Sequence, residues 1–448
     1  MILLSLLTLV SLAQVQSSNF DYETCINIAC SACGDGYDIY TVNTLGSILT
    51  SNDGSNLCFH IFAEPELHKS IEKGLVEKMA RIEKANSDRK ISGLVKIELY
   101  DVAYPSDSGS TINTWKQLFK KCSTQRLFIP MILNKKSVNR LIYTDVDVVF
   151  IQPISKMFKF FEKFNQDSKL LFGLVDEHVE QYGGGWYVNA ARHPFPGHHG
   201  ANAGLMMVDV ERLSKVSDFK LVKHKEIGRG AKEFKMLPET GHKNYTYADI
   251  LAPLQKHWGY KLTWGDQCLL NVLLATNPGK LLFLPCSFNY RPDHCFHGEN
   301  CLTSPVAVHG NRRVFERLSG GPIINKLKLL VRQNATKFLD NTEISKLEDD
   351  EYQSFDFPVN LFAVLYKSVI EADSRHLILK NFKSNVFKYK QLQDGNVFSK
   401  WTHTYGHDQG TKIKDYCLKD SYKLWVQGLS SSYSTDNEIE TGFYKNEL

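Results

Sequence analysis

The apolar positions of this chain fall in two rhythms. Runs of about four to eight aliphatic or β-branched residues predict strands, and stretches with apolar positions every three or four residues predict amphipathic helices. Thr24–Cys33 (TCINIACSAC), bounded by Gly34-Asp-Gly36, reads as a first buried strand, Leu57–Ala63 (LCFHIFA) as a second and Leu94–Leu99 as a third. Tyr37–Thr50 and Pro65–Lys84 carry helical spacing, and Trp115–Leu133 predicts a helix that leads into the centre of the chain. That centre is Arg140–Pro153 (RLIYTDVDVVFIQP), which reads as one buried strand stopped by its proline. Leu170–Val175 is a further strand, and Gly197–Val210 a turn entering another. Trp258–Asn271 reads as a strand-like piece running into a helix near Asp266, and Val306–Arg313 as a short strand ending at His309-Gly310. Strands alternating with helices predict an α/β fold with a mainly parallel sheet covered on both faces. Ligands of such sheets sit at the carboxyl ends of the strands.

Two carboxylates interrupt the central run. Asp145 and Asp147, at i and i+2, would point to the same side of an extended chain. A carboxylate among apolar residues must be paired, protonated or metal-bound. Hard oxygen pairs suit Mg²⁺ or Mn²⁺, with phosphate completing the shell. The plainer reading is a pair of aspartates capping a strand-to-loop turn.

Composition narrows the classes. With 448 residues and 43% hydrophobic content, the chain is long enough for one large domain plus an appendage. A formal charge of +4 is too small at this size to imply a nucleic-acid or membrane-surface partner. Met1–Ala13 is an apolar segment of signal-peptide length, with Val15 and Ser17 suited to cleavage after Ser17, although no Lys or Arg precedes Lys69. No other stretch is fit to cross a membrane. Ten cysteines in a secretory chain imply disulfides, and the short loop between Cys295 and Cys301 suits a bridge, with a zinc site at His294 or His297 as its competitor. Cys30 and Cys33 have C-x-x-C spacing but read as small apolar fillers. His193, His198 and His199 sit among glycines and read as loop residues rather than ligands. Asn244-Tyr-Thr and Asn334-Ala-Thr are glycosylation acceptor sequences. The last four residues, Lys445-Asn-Glu-Leu448, differ at one position from a K-D-E-L address, which favours the endoplasmic reticulum over the Golgi.

Eight pieces, CFHIFAEPELH, WKQLFKKCSTQRLFIP, LIYTDVDVVF, ANAGLMM, ADILAPL, LTWGDQCLLN, FNYRPDHC and VHGNRR, occur in an order that resembles the animal glucoside xylosyltransferases. These belong to the family-eight retaining nucleotide-sugar glycosyltransferases. The resemblance implies a single GT-A domain over residues 24–320, with residues 321–448 as a C-terminal extension. It further implies a UDP-sugar donor bound with Mn²⁺ (or Mg²⁺), and retaining transfer of xylose to glucose O-linked on epidermal-growth-factor-like (EGF-like) repeats. Asp145, Asp147 and His309 match the metal-binding elements. Ala32 and Cys33 would lie at the uracil edge, and Arg126 would reach the donor sugar and the first aspartate. Asn202 and Gly204 match the element lining the sugar. Asp266 and Gln267 match the pair beneath the anomeric carbon. Gly310 and Arg312 would approach the phosphates, with Arg313 an alternative to Arg312.

Cys268 stands where many relatives carry a further aspartate. Trp186, Tyr187 and Asn289–His294 offer aromatic surface for an acceptor. Front-face attack and double displacement both remain open, as does a glucosyl or galactosyl donor. Two other classes compete: an inactive lumenal sugar-binding protein, and a metal-dependent nuclease or phosphatase, which would want a denser carboxylate cluster. One ion shared by the aspartates and His309 requires the imidazole within about 10 Å of them.

Overall fold

A computed structural model describes residues 22–87, 90–104, 115–116, 118–177, 187, 191–226, 234–238, 244–291, 305–310, 369–374 and 377. The predicted signal peptide, Trp186, Cys295, Cys301, Arg312, Arg313, Asn334 and the C-terminal tetrapeptide lie outside them.

Eleven strands are seen among the described residues: β1 (Ile26–Ala32), β2 (Leu57–Ala63), β3 (Val95–Asp101), β4 (Arg140–Thr144), β5 (Val148–Phe150), β6 (Phe172–Asp176), β7 (Ala201–Asp209), β8 (Val222–Glu226), β9 (Phe234–Pro238), β10 (Leu281–Leu284) and β11 (Ala307–His309). The helices are α1 (Tyr37–Ser51), α2 (Pro65–Ala85), α3 (Gln125–Asn134), α4 (Ser155–Phe158), α5 (Phe161–Gln166), α6 (Val210–Lys215), α7 (Tyr247–Trp258) and α8 (Gly265–Thr276). Seven strands form one sheet in the order β10-β6-β7-β4-β1-β2-β3. It is mainly parallel, with β7 running antiparallel to both of its neighbours, β4 and β6. The chain moves outward from β1 to β3, then returns to the other side of β1 as β4. That reversal makes the carboxyl edge between β1 and β4 a switch point, where a ligand crevice opens.

Each strand feeds two cores. Ala29, Leu141, Tyr143, Leu174 and Met206 face one apolar cluster. Ile28, Cys30, Ile142, Val175, Leu205 and Met207 face the other. The alternation is the period-two rule of an extended chain with both faces covered.

The strands and helices expected at the N-terminal end form within two residues of their predicted bounds. Three expectations are corrected. The central run is not one strand: the chain leaves the sheet after Thr144, turns through Asp145–Asp147, and resumes as β5 in a separate pairing with β11. Within a continuous buried strand both carboxylates would meet apolar neighbours, whereas the turn gives them polar ones. The helix expected over Trp115–Leu133 is not continuous: Trp115 and Lys116 are helical, but the chain turns through Cys122, which has φ +61° and is bonded to Cys33, before α3 begins at Gln125. The strand-like piece at Trp258 is the end of α7, capped at its start by Thr246, and Trp258 is a core side chain.

Helix α1 is buried from Thr41 to Ser51 although half of those residues are polar. The hydroxyls of Thr41, Ser47, Thr50 and Ser51 donate to carbonyls three or four residues earlier, which satisfies them inside the core. Thr44 and Ser47 also reach outward, as described below.

A short piece of the C-terminal extension packs on α1 and α2. Val369 and Ala372 are buried, and the ammonium of buried Lys78 donates to the carbonyls of Ile370 and Ala372 and lies 3.0 Å from Asp373 Oδ1. Thr50 and Asn86 donate to Ala372 O at 3.2 Å and Asp373 O at 3.1 Å. Burial pushes the Lys78 ammonium down to about 8 despite Asp373. Ending the chain before residue 369 would leave this cation buried without those acceptors. Such a truncation should lower stability by about 1.5–3 kcal/mol, and Lys78→Met should recover part of the loss in the truncated chain only. Urea unfolding of the four proteins checks this, and equal stability of truncated and full chains contradicts it.

Candidate active site

The turn Asp145-Val146-Asp147 is held from three sides. The Asp145 N–H donates to Gly204 O at 2.7 Å, a continuation of the β4–β7 pairing. Thr44 of α1 donates to Val146 O at 2.7 Å, and Ser47 accepts the Phe150 N–H at 2.8 Å. The β5–β11 register sets His309 opposite Val148, and the Gly310 N–H closes on Asp147 O at 2.6 Å. Local pairing thus carries a histidine from far along the chain to the acidic turn. His309 Nε2 lies 3.3 Å from Asp147 Oδ1, well inside the limit for a shared ion.

One ligand atom each from Asp145, Asp147 and His309 lies within 4.8 Å of the others, and this is the one such group among the described residues. Two carboxylate oxygens and an imidazole nitrogen fit a divalent cation of the Mn²⁺ or Mg²⁺ kind, with room for phosphate oxygens. The plainer reading of Asp145 and Asp147 as turn caps leaves the approach of His309 without a purpose. By contrast His193 is fully buried and bonds Pro194 O, and His199 lies 3.5 Å from Asp176, so neither belongs to the cluster.

Gly204 is fixed by this geometry. A Cβ there would stand 2.1 Å from His309 Cε1, so only hydrogen fits beneath the ring. Tyr143, at full burial, donates to Asp145 Oδ1 at 2.8 Å and meets Ser31 Oγ of β1 at 3.1 Å. Arg126 enters from α3. Its Nη1 lies 3.3 Å from Asp145 Oδ2 and donates to Ala203 O at 2.7 Å, while its Nε lies 2.5 Å from Asp266 Oδ2. One guanidinium therefore joins the acidic turn to the first turn of α8.

Burial governs the charges here. It raises the Asp145 carboxyl, opposed by Arg126. It also pushes Asp266 up to about 6, again against Arg126. Burial acts upward on Asp147 too, but the His309 imidazole beside it brings the carboxyl below its ordinary value. Burial would lower His309, yet Asp147 and Asp145 raise it overall.

The other expected residues are placed as follows. Ala32 ends β1 and is buried; Cys33 is bridged to Cys122, not a free apolar filler, while Cys30 is free and buried. A second bridge joins Cys25 to Cys58. The Cys33–Cys122 bond ties the end of β1 to the strap that leads into Arg126, and Lys121 pairs with Glu64, which accepts the Gly34 N–H at 2.7 Å. On this strap Phe119 is 40% exposed and packs against Gly265, whose φ is +49° and whose Cβ would stand 2.3 Å from Phe119 Cβ. Gln267 accepts the Ala203 N–H at 3.1 Å and donates to Tyr187 Oη at 3.3 Å. Asn202 is 2% exposed and bonded to Glu177, Gly204 and Asn289. Cys268 is fully buried behind Trp264 and Tyr187.

Tyr187, Asn289, Tyr290 and Arg291 are each at most 1% exposed, so the expected aromatic surface for an acceptor is interior at these positions. Residues missed from sequence include Tyr143, Ser31, Thr44 and Glu177. Glu177 did carry a signal, an acidic residue directly after an apolar strand; nothing in sequence marked Thr44.

Over 294 residues, 65% of this chain, the sequence is 36% identical to glucoside xylosyltransferase 1 of Rattus norvegicus and covers 59% of that protein. It is 33% identical over 299 residues to glucoside xylosyltransferase 2 of Xenopus laevis, covering 65% of this chain and 62% of the relative. The chain thus spans less than two thirds of these relatives' length. No family model matches it. The crystal structure of apo mouse xyloside xylosyltransferase 1 aligns at 16% identity and a TM-score of 0.42, covering 64% of this chain and 98% of that one, a likeness too distant to bear on the site.

The seven-stranded sheet, mainly parallel with one antiparallel strand, makes the chain a mixed α/β protein. Its sequence is similar to those of proteins named glucoside xylosyltransferase over 65% of its length.

Two outcomes follow for the cation. Gly204→Ala should displace the His309 ring and weaken Mn²⁺ binding by about 10-fold or more, read by electron paramagnetic resonance titration, with unchanged affinity contradicting the arrangement. The cation takes the neutral imidazole, whose pKa is raised, so Mn²⁺ affinity should rise with pH through and above 6.5 and then level off. A flat profile would remove His309 from the ligand set.

Proposed function

We propose that the chain is a retaining glycosyltransferase that transfers xylose from UDP-xylose to glucose O-linked on EGF-like repeats. The observation that carries this reading is the convergence of Asp145, Asp147, His309 and the Arg126–Asp266 pair on one edge of the sheet. Similarity to proteins named glucoside xylosyltransferases supports the sugar and the glucoside acceptor. A nuclease or phosphatase is disfavoured because the described residues hold one such group, of three ligands.

A cation held by Asp145, Asp147 and His309 would neutralise the charge gathering on the departing diphosphate. The remaining work falls to the chain itself. Arg126 fixes Asp145 and Asp266 relative to one another, so the acid beneath the sugar and the acids beneath the phosphate keep one spacing. Asp266 sits in the first turn of α8 and is 1% exposed, which dries the space around the reacting carbon. Its ionised form, present above about 6, steadies positive charge on the sugar as the leaving group departs. Gln267, tied to Ala203 and Tyr187, holds that turn of α8 against β7. Gly310 lets backbone come close beside His309, while its N–H is engaged by Asp147. Ala32 and the tethered Cys33 frame the uracil edge; Arg312 or Arg313, outside the described residues, is the candidate for the phosphates.

We place the protein in the lumen of the secretory pathway, with the endoplasmic reticulum favoured. Two disulfides suit an oxidising compartment, and no helix among the described residues is long and apolar enough to cross a membrane. Asn244, in one glycosylation acceptor sequence, is exposed.

Purified protein incubated with UDP-xylose, UDP-glucose or UDP-galactose, with and without Mn²⁺, tests the donor directly. Hydrolysis of UDP-xylose should dominate and depend on the cation; preference for UDP-glucose would replace the sugar but keep the reaction class. No turnover of any donor would favour a sugar-binding role. Asp147→Asn should remain folded and lose about 100-fold or more of metal-dependent turnover. Turnover of the wild type should fall as pH drops through about 6, where Asp266 takes up its proton.

A further inference from the structure

Behind His309 a line of buried amides runs to an ion pair, and its hydrogen-bond directions are forced from both ends. At the far end Arg291 and Glu177, 0% and 3% exposed, form a charge pair, and the Glu177 carboxylate can only accept. At the near end the Gly204 N–H can only donate, and it does so to Asn202 Oδ1 at 2.9 Å. Asn202 Nδ2 donates to Glu177 Oε2 at 2.9 Å. With a pure donor on one side and a pure acceptor on the other, the Asn202 amide has one permitted orientation. Its Oδ1 also accepts from Asn289 Nδ2 at 2.9 Å, which fixes the second amide in turn. Asn289 must then present Oδ1 to His309 Nδ1, 3.0 Å away. An oxygen at that distance requires the hydrogen to be on Nδ1. In the neutral ring, the form a cation would bind, Nε2 on the Asp147 side is left with its lone pair.

We propose that Asn289, backed by Asn202 and the Glu177–Arg291 pair, is a positioning relay that fixes the Nδ1–H tautomer of His309 and turns Nε2 toward the cation. This rests on the metal reading of Asp145, Asp147 and His309. The relay acts from behind the site: none of its side chains needs to touch the donor. It also accounts for four buried polar groups that no apolar core would require. Buried amides of this kind are tolerated when hydrogen-bonded, and the bonds from Gly204 and Glu177 through Asn202 and Asn289 specify a single state of one ring, while Nε and Nη2 of Arg291 have no partner among the described residues. Gly204 serves the same ring twice, through its N–H at one end of the line and through the space its missing Cβ leaves.

Two measurements test the relay on the full chain. In wild-type protein labelled with ¹⁵N-histidine and held with Mg²⁺ and UDP, the His309 resonances, identified by their absence in His309→Ala, should show a hydrogen on Nδ1 and none on Nε2. A hydrogen on Nε2, or exchange between both nitrogens, overturns the proposal, and this measurement needs no relay variant to fold. In Asn289→Leu, which keeps side-chain volume but offers no acceptor, Mn²⁺ affinity should fall by about 10- to 100-fold while the unfolding transition stays cooperative. A folded variant that binds Mn²⁺ as tightly as the wild type overturns the relay alone. A wild-type protein that binds no Mn²⁺ overturns the metal reading on which it rests.

Discussion

The structure depends on two carboxylates being carried out of a buried strand without breaking the sheet. Asp145 and Asp147 follow β4 at the switch point, where a continued strand would set both against one apolar core. The turn that removes them survives because its backbone is held from three sides. Gly204 takes the Asp145 N–H, Thr44 caps Val146 O, and Gly310 takes Asp147 O. The polar face of α1, costly in a buried helix, is explained by this task. The same pairing that holds the turn delivers His309, since β11 pairs with β5 in a register that sets the imidazole beside Asp147.

Charge is then distributed through one guanidinium and one relay. Arg126 couples the acidic turn to Asp266, and burial of that carboxylate is offset in part by the same cation. The Cys33–Cys122 bridge sits a few residues before Arg126 and ties its strap to the end of β1. The β1 side of the site is therefore cross-linked covalently, while the face behind His309 is held by directed hydrogen bonds. Rigid supports of both kinds suit a reaction in which groups must be in place before charge develops.

Much of this was legible in sequence, for identifiable reasons. Leu57–Ala63 is a short, nearly unbroken apolar run and Pro65–Lys84 follows a period of 3.6, and both elements form nearly at their predicted bounds. Asp145 and Asp147 stood out because charge inside an apolar run needs an explanation. His309, Arg126 and Asp266 came from resemblance, since no local pattern joins residues so far apart. What sequence hid was tertiary. The central run is equally apolar on both sides of its turn, so periodicity joined β4 and β5 into one strand. The helix before Gln125 was overridden by a disulfide between partners far apart in the chain. Tyr187 and Asn289–Arg291 looked like surface for an acceptor, because aromatic and polar residues in a turn do not reveal that they are buried.

The central claim is that one divalent cation is shared by the acidic turn and the imidazole. Crystals grown with MnCl₂ and UDP, measured at an energy where manganese scatters anomalously, test it most directly. The expected result is a single anomalous peak roughly 2.0–2.4 Å from oxygens of Asp145 and Asp147 and from His309 Nε2. A manganese peak bound elsewhere, or one that leaves His309 outside its coordination shell, would contradict it.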